Sequence, residues 1–565
     1  MDSSENDLRR LDAALIATLA VQATLRAFLA FRHQVNVDEP QHLHVAWGWT
    51  QGLLQYRDVF DNHAPLFHML SAPIVTAVGE RPDIIIFMRL ALIPLVALTL
   101  LATYVIGRRL YATRVALWAV ALGGLWPEFV RKSAEYRADI LWMAAWVSAL
   151  AVLARGRLTP RRCFVGGILL GVTAAASVKS VLLLASLAAA ALATLALAWR
   201  ESRRPSPREL GARAASAFLG FLLVPSAVVA YFAARGAWGP FLSQVWLHNL
   251  LPGFDLMASP SLRMLLFPAA APLLWLGARA VIRHAPDEET GRRRCALFLT
   301  TGIYLTAIQS YKPLITGQDF LPFYPLACLL VIPGALAALR AAAVRVAAVR
   351  KRVSSRLASA LFLAPVLFAA VEIALDLRAY PPWRDNCREY TAFLSEALRL
   401  TRPGESMMDL RGETVFRRRP FFYALESVTQ MRMARGLIPD TIAERIVETR
   451  TRCAVHDSEG LPPAAREFLN RHFIPVGWFR VVGSRLDAGS GNESGARSFE
   501  VIFPERFAVV SERVSASGWL DGAPYVGPRE LSAGMHEYLP RADERGLAVL
   551  WAGALERGFA PLPAP

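Results

Sequence analysis

Eleven apolar runs punctuate the first two thirds of the chain, near residues 11–31, 83–106, 115–130, 139–154, 163–178, 180–199, 214–234, 264–282, 295–311, 320–339 and 357–377. About 20 apolar residues match the hydrocarbon thickness of a bilayer. In that medium a helix satisfies its own backbone hydrogen bonds, whereas an open strand cannot. The pattern predicts a mostly α, polytopic membrane protein with about 11 transmembrane helices. The runs at 115–130 and 139–154 are short for a crossing. The first run follows Asp2, Glu5, Asp7, Arg9 and Arg10 and has no small-residue cleavage site before Phe31, so a retained helix is expected.

Composition agrees. Hydrophobic residues make up 54% of the 565 and charged residues 19%, which excludes a disordered chain and an ordinary soluble enzyme. The net charge of +16 would suit nucleic acid if the basic groups shared one folded surface. They stand instead in short clusters between apolar runs, so the bilayer is the expected partner and nucleic acid is not. The segments 107–114, 155–162, 200–213, 279–294 and 340–356 hold 23 Lys and Arg in 63 residues. The alternate segments 32–82, 128–138, 177–180, 235–263 and 311–319 hold 10 in 104. The positive-inside rule puts the first set and the N-terminus in the cytoplasm. An odd number of spans then puts the C-terminus outside a bacterial inner membrane.

Two domains are expected: a transmembrane domain over 1–377 and an extracytoplasmic soluble domain over 378–565. The second has no long apolar run and is large enough for its own core. Phe499–Phe503 and Phe507–Val510 alternate as strands do, while 389–400 and 439–450 have helical spacing, so an α/β or α+β domain is predicted. The Gly- and Ser-rich stretch 485–497 reads as a connection. Five cysteines exclude a disulfide scaffold. Cys387 and Cys453 lie in the outer domain, where a disulfide is permitted.

Chemistry-bearing residues gather in the outer loops. Loop 32–82 opens with Asp38-Glu39-Pro40, where either acid can cap a helix with proline in its first turn. Leu43, Ala46, Trp47, Leu53 and Leu54 would give that helix one apolar face, as an amphipathic helix at the interface needs. His33, His42, His44, His63 and His68, with Asp38, Glu39, Asp58 and Asp61, offer ligands for a divalent metal but no paired zinc spacing. In the second loop Glu135 and Asp139 are four apart, which would place them on one helix face with Arg137 on another. Lys179 stands amid 37 nearly uncharged residues, 163–199. It needs an anionic partner, for which a lipid phosphate is suited, or must snorkel to the surface. The last loop adds Lys312, Gln318 and Asp319. Phosphate-binding, dinucleotide and serine-hydrolase motifs are absent from the sequence.

The acidic pair, the Asp61-x-His63-x-Pro65-Leu66 stretch, the Glu135-x-Arg137-x-Asp139 segment and the later lysine occur in the order seen in polytopic lipid-phosphosugar glycosyltransferases. Over residues 30–335 the chain resembles the bacterial branch related to protein O-mannosyltransferases and lipid A aminoarabinose transferases. The resemblance implies an inverting transfer of a sugar from a polyprenyl phosphate donor to an acceptor hydroxyl on protein, lipid or polysaccharide. It makes Asp38 the general base, with Glu39 beside it. Arg137 and Lys179 become phosphate contacts, and His63, Glu135, Asp139, Lys312, Gln318 and Asp319 further substrate contacts. Phe320 stands where tyrosine is common. A polymerase, or a transporter or flippase of lipid-linked glycans, is the alternative. Transporters commonly carry mid-membrane charges and inverted repeats, whereas here the charges sit in loops and no repeat is visible.

Overall fold

The computed structural model describes residues 2–197, 206–250, 262–312, 315–349, 364–456, 459–486, 495–512 and 515–561. Parts of the expected loops 200–213, 235–263, 311–319 and 340–356, the start of the run 357–377 and most of the connection 485–497 lie outside the described residues. The chain forms two compact units. One comprises residues 1–35, 62–71 and 86–387, and the other 36–61, 72–85 and 388–565.

The first unit is helical. It contains α1 (Asp2–Arg32), α4 (Ile84–Leu110), α5 (Thr113–Leu125), α6 (Pro127–Ser133), α7 (Ala138–Ala154), α8 (Pro160–Ala176), α9 (Ser180–Leu197), α10 (Pro207–Ala234), α11 (Trp238–Leu242), α12 (Leu266–Arg283), α13 (Glu288–Tyr311), α14 (Tyr324–Val349) and α15 (Ala364–Ala379). Each expected apolar run falls on helix where it is described, but the run 115–130 is broken at Trp126 and divided between α5 and α6. Five stretches are long and apolar enough to cross a membrane: Asp12–Arg32, Ile84–Leu110, Ser180–Leu197, Pro207–Ala234 and Leu262–Arg283. A sixth would be α6 with α7, which meet at 116°. Shorter apolar helices run over Leu66–Val78, Thr113–Leu125 and Tyr324–Ala335. On α10 and α12, Phe218, Leu219, Leu273 and Leu276 are 59–69% exposed. Water would penalise such an apolar exterior, whereas lipid is its proper solvent. The molecule is a multi-pass membrane protein.

Where both the helix surface and the solvent are apolar, association depends on close fit. Helices α8 and α10 meet through Gly167, Gly171 and Gly220. A Cβ at Gly167 would stand 2.1 Å from the Ala217 carbonyl oxygen, and one at Gly220 2.1 Å from that of Phe164. Gly167→Val is therefore expected to force the backbones apart, at a cost of at least about 1–3 kcal/mol. A lowered Tm of the detergent-solubilised protein would register this, with Gly211→Ala, at an open position of α10, as the control. Elsewhere Leu15, Trp118, Leu122, Leu125 and Ala369 join α1, α5 and α15. Ala190, Ala278, Cys295 and Leu299 join α9, α12 and α13.

The second unit carries a mostly antiparallel seven-stranded sheet and a four-stranded sheet. The strands are β1 (Met407–Met408), β2 (Cys453–Val455), β3 (Phe473–Val476), β4 (Phe479–Leu486), β5 (Arg497–Val501), β6 (Glu505–Val510), β7 (Trp519–Leu520), β8 (Ala523–Pro524), β9 (Arg529–Leu531), β10 (Gly534–Leu539) and β11 (Leu547–Trp551). The larger sheet runs β1-β2-β4-β11-β6-β9 with β3 also on β4, and the smaller runs β5-β10-β7-β8. Among the strands of the described residues, only β1 and β2 pair in parallel. The expected strands fall in β5 and β6. The two expected helical stretches are helices at Arg388–Leu400 and Ile442–Glu448.

Two expectations are corrected. All five cysteines are thiols, not disulfides. Cys387 is buried near Arg89 Nη1, at 4.0 Å, and Cys453 is buried in β2, so each thiol is enclosed in its own unit. The helix α2 (Asp38–Thr50) has no polar face of the interfacial kind: every residue from Glu39 to Gly48 is buried. One of its buried polar side chains, His44, donates from Nδ1 to the Val415 carbonyl at 2.7 Å. Nearby, Arg417 meets Glu80 at 3.0 Å, and Phe60 packs edge-on to Phe422 with centroids 5.8 Å apart. These contacts make two first-loop segments part of the second unit.

Candidate functional site

The chain between α6 and α7 turns sharply at residues 134–137, with Arg137 extended at φ −145° and ψ 147°. Glu135 and Asp139 therefore do not share a helix face as the spacing suggested. Instead Arg137 lies between them, donating from Nη1 to Glu135 Oε2 at 2.7 Å and from Nε to Asp139 Oδ2 at 3.2 Å. Lys132 closes the other side of Glu135, at 2.9 and 3.2 Å from its two oxygens.

Asp139 then connects to Lys179. Helix α8 ends at Ala176, and Ser177 leaves it in an extended conformation. Ser177 Oγ accepts from Lys179 N, and Ser180 Oγ, at the start of α9, donates to the Thr173 carbonyl at 2.7 Å. Trp142 Nε1 donates to the same Ser180 hydroxyl at 3.0 Å. The Lys179 ammonium thus reaches Asp139 Oδ1 at 2.8 Å and Asp319 Oδ1 at 3.1 Å. It is 24% exposed, so it neither snorkels freely nor waits for a lipid to neutralise it.

Asp319 is wholly buried on a 3₁₀ turn, Gly317–Phe320. Its Oδ2 accepts from Thr316 N at 2.8 Å, from Thr316 Oγ1 at 3.1 Å, and from Lys312. The Tyr304 hydroxyl donates to the Asp319 carbonyl at 2.9 Å and so holds the turn from below. Two lysines therefore share one carboxylate. Burial disfavours the Lys179 ammonium, but Asp139 and Asp319 outweigh that and hold its pKa above the ordinary value. Lys312 is pushed below its ordinary value by burial and by the neighbouring Lys179 charge. The Asp319 carboxyl resists burial because both lysines stabilise its anion, and its pKa is lowered. Five cations, Arg131, Lys132, Arg137, Lys179 and Lys312, face four carboxylates, Glu128, Glu135, Asp139 and Asp319. The surplus positive charge rests at Lys179 and Lys312, and an anion would relieve it.

Six residues expected from the sequence, Glu135, Arg137, Asp139, Lys179, Lys312 and Asp319, thus form one continuous network. His63 acts on the Asp139 carboxylate electrostatically. Gln318 sits on the turn but takes no part in the network among the described residues. The sequence reading missed Lys132, although its spacing of three from Glu135 was a usable signal, and Tyr304, which gave none. Asp38 and Glu39 belong to the second unit. Glu39 is buried and its Oε1 accepts from Asn36 N at 2.9 Å, just ahead of the start of α2. Asn36 Oδ1 accepts from Asp38 N at 3.1 Å, a bond that does not use the Asp38 carboxylate. That carboxylate is 3.8 Å from Arg411 and one third exposed. Among the described residues no group of three or more His, Cys, Asp or Glu is placed to hold a metal ion.

No protein-family model matches the chain, and no curated protein matches it. Solved structures do match. The fold is similar to that of ArnT from Cupriavidus metallidurans bound to undecaprenyl phosphate, with a TM-score of 0.53 and 13% identity over 83% of this chain and 97% of that one. The apo state of the same ArnT gives 0.53 and 15% over the same shares. The archaeal oligosaccharyltransferase AglB from Archaeoglobus fulgidus, in complex with an inhibitory peptide and a dolichol-phosphate, gives 0.44 and 15% over 82% and 72%. At these identities the likeness to ArnT is one of fold.

Proposed function

We propose that the chain is an inverting glycosyltransferase, moving a sugar from a polyprenyl phosphate donor to an acceptor hydroxyl at the outer face of a bacterial inner membrane. The observation that carries this reading is the buried network around Lys179, Lys312 and Arg137. It lies at helix ends in an apolar unit and has cationic charge to spare, on a fold similar to one solved with undecaprenyl phosphate. A phosphate would exchange with Asp139 and Asp319 for the same ammonium groups.

In this reading Asp38 takes the proton of the acceptor hydroxyl while that oxygen attacks the anomeric carbon. The bond from that carbon to the phosphate oxygen breaks, and both electrons leave on the lipid phosphate. Lys179, Lys312 and Arg137 stabilise the charge that develops there. One displacement inverts the anomeric centre. Glu39 keeps the helix start in place through Asn36, and Glu135 orients Arg137. His63 and Gln318 are assigned to the substrate's polar groups. The direct test is release of lipid phosphate from a radiolabelled polyprenyl phosphate sugar by the protein in nanodiscs. Absence of release across a panel of donor sugars, with a folded protein and an added envelope extract as acceptor, would overturn the assignment.

The reading also requires all eleven apolar helices to cross the membrane, with residues 378–565 exported as the soluble domain. A reporter active only after export, fused after residue 565, is expected to be active in cells. Activity of a cytoplasm-only reporter at that position would reverse the topology.

A further inference from the structure

The second unit contains a cavity of 580 Å³, a size suited to several sugar rings. Its walls are of two kinds. Trp47 and His44 stack with centroids 5.5 Å apart and an interplanar angle of 29°, and Phe421 and Phe422 add further ring surface. Flat ring faces suit the C–H faces of a pyranose. Guanidinium groups supply the rest.

The three arginines of the lining are not equivalent. Arg419 is committed to the protein: Nε donates to Asp409 Oδ1 at 2.7 Å, and Nη2 to the carbonyls of Asp409 and Leu410 at 3.0 and 2.9 Å. Arg411 has only a long ion pair, 3.8 Å, with Asp38. Arg418 is exposed and acts on the neighbouring Asp58 carboxylate through its charge, while Asp58 accepts from Arg57, at 2.8 Å, and from Leu54 N. The cavity therefore presents two loosely engaged forks of the kind that bind carboxylate or phosphate in bidentate fashion.

His44 adds an acceptor. Its Nδ1 donates to the Val415 carbonyl, and burial pushes its pKa down, so the ring is neutral and Nε2 carries a lone pair. The loop that covers it requires Gly412, where φ is +104° and a Cβ would stand 2.7 Å from that of His44.

We propose that this cavity binds the acceptor, and that the acceptor is a carbohydrate chain carrying acidic groups. The inference rests on the transferase reading. The aromatic faces hold the rings, Arg411 and Arg418 hold the acidic substituents, and His44 accepts from a hydroxyl. Arg411 is also an ion partner of Asp38, so an acid engaging Arg411 would compete with the carboxylate assigned to take the acceptor's proton.

The test uses the full-length protein in nanodiscs at 0.15 M salt, with binding read by calorimetry. The probes are a galacturonate hexamer, a phosphorylated mannan fragment, neutral maltohexaose and a hexaglutamate peptide. An acidic glycan, carboxylated or phosphorylated, is expected to bind at least tenfold more tightly than maltohexaose and hexaglutamate. Arg418→Gln and Arg411→Gln should each weaken it about 5- to 10-fold, and Arg418→Gln should leave Tm unchanged because the side chain is exposed. Equal binding of maltohexaose would remove the charge readout. Equal binding of hexaglutamate would make the site one for acidic peptides, and unaltered affinity in both variants would place the binding elsewhere. Release of lipid phosphate from the donor is measured on the same samples. Release without acidic-glycan binding sinks this inference alone. Glycan binding without release, whatever the donor, sinks the transferase reading while leaving a glycan site.

Discussion

Asp38→Asn is expected to give a folded, donor-binding protein whose turnover falls about 10²- to 10⁴-fold, the usual range for loss of a general base. The substitution keeps the size of the side chain and its hydrogen-bonding capacity but removes the proton acceptor. The start of α2 should survive, because the contact of Asn36 N with Glu39 Oε1, at 2.9 Å, does not involve the Asp38 carboxylate. Glu39→Gln is the internal comparison. It retains an oxygen for Asn36 and should lose far less activity than Asp38→Asn. Steady-state release of lipid phosphate, together with Tm, measures both. A dead Glu39→Gln protein beside an active Asp38→Asn protein would transfer the base to Glu39. Activity in both would make the pair a helix start only and turn the search to Glu135 or Asp139.

Lys179→Ala is expected to reduce donor affinity about 30- to 5,000-fold, corresponding to the roughly 2–5 kcal/mol lost when one partner of a desolvated charge pair is removed. The substitution has a second effect. It leaves Asp139 and the wholly buried Asp319 with one cation fewer, and orphaning buried charge is itself destabilising. The double variant Lys179→Ala with Asp139→Asn separates the two, since Asp319 keeps Lys312 and Arg137 keeps Glu135. If Lys179 contacts the donor phosphate, the double variant recovers Tm but not donor affinity. Recovery of both would make Lys179 a structural counter-ion. Lys179→Arg is not expected to rescue fully, because a planar fork cannot sit between Asp139 and Asp319 as a compact ammonium does.

Helix positions were legible in the sequence because the constraint is one-dimensional. A chain that must satisfy its backbone in hydrocarbon has to form helices, and each run of apolar residues marks one. The residue types of the network were legible for a related reason. Lys179, Asp139 and Asp319 stand out because an ionisable group beside an apolar span is costly and must have a reason to be there. Their partners were not legible. Lys179 and Asp319 are 140 positions apart, and nothing in either segment encodes the 3.1 Å between them. Nor could spacing alone show that the chain would bend by 116° after α6, turning a presumed shared helix face into an Arg137 clamp.

The first-loop helix marks the same division. The sequence by itself determined that α2 would form, through an acidic first turn, a proline near its start and apolar residues at helical spacing. Only the tertiary structure decided that it would be enclosed on all sides and join residues 388–565. That outcome depends on His44 finding the Val415 carbonyl and on Gly412 permitting the approach, contacts between segments more than 350 residues apart. Local propensity and solvent preference act along the chain and can be read there. Satisfaction of buried polar groups is settled by whatever the fold brings within 3 Å, and that information resides in no single segment.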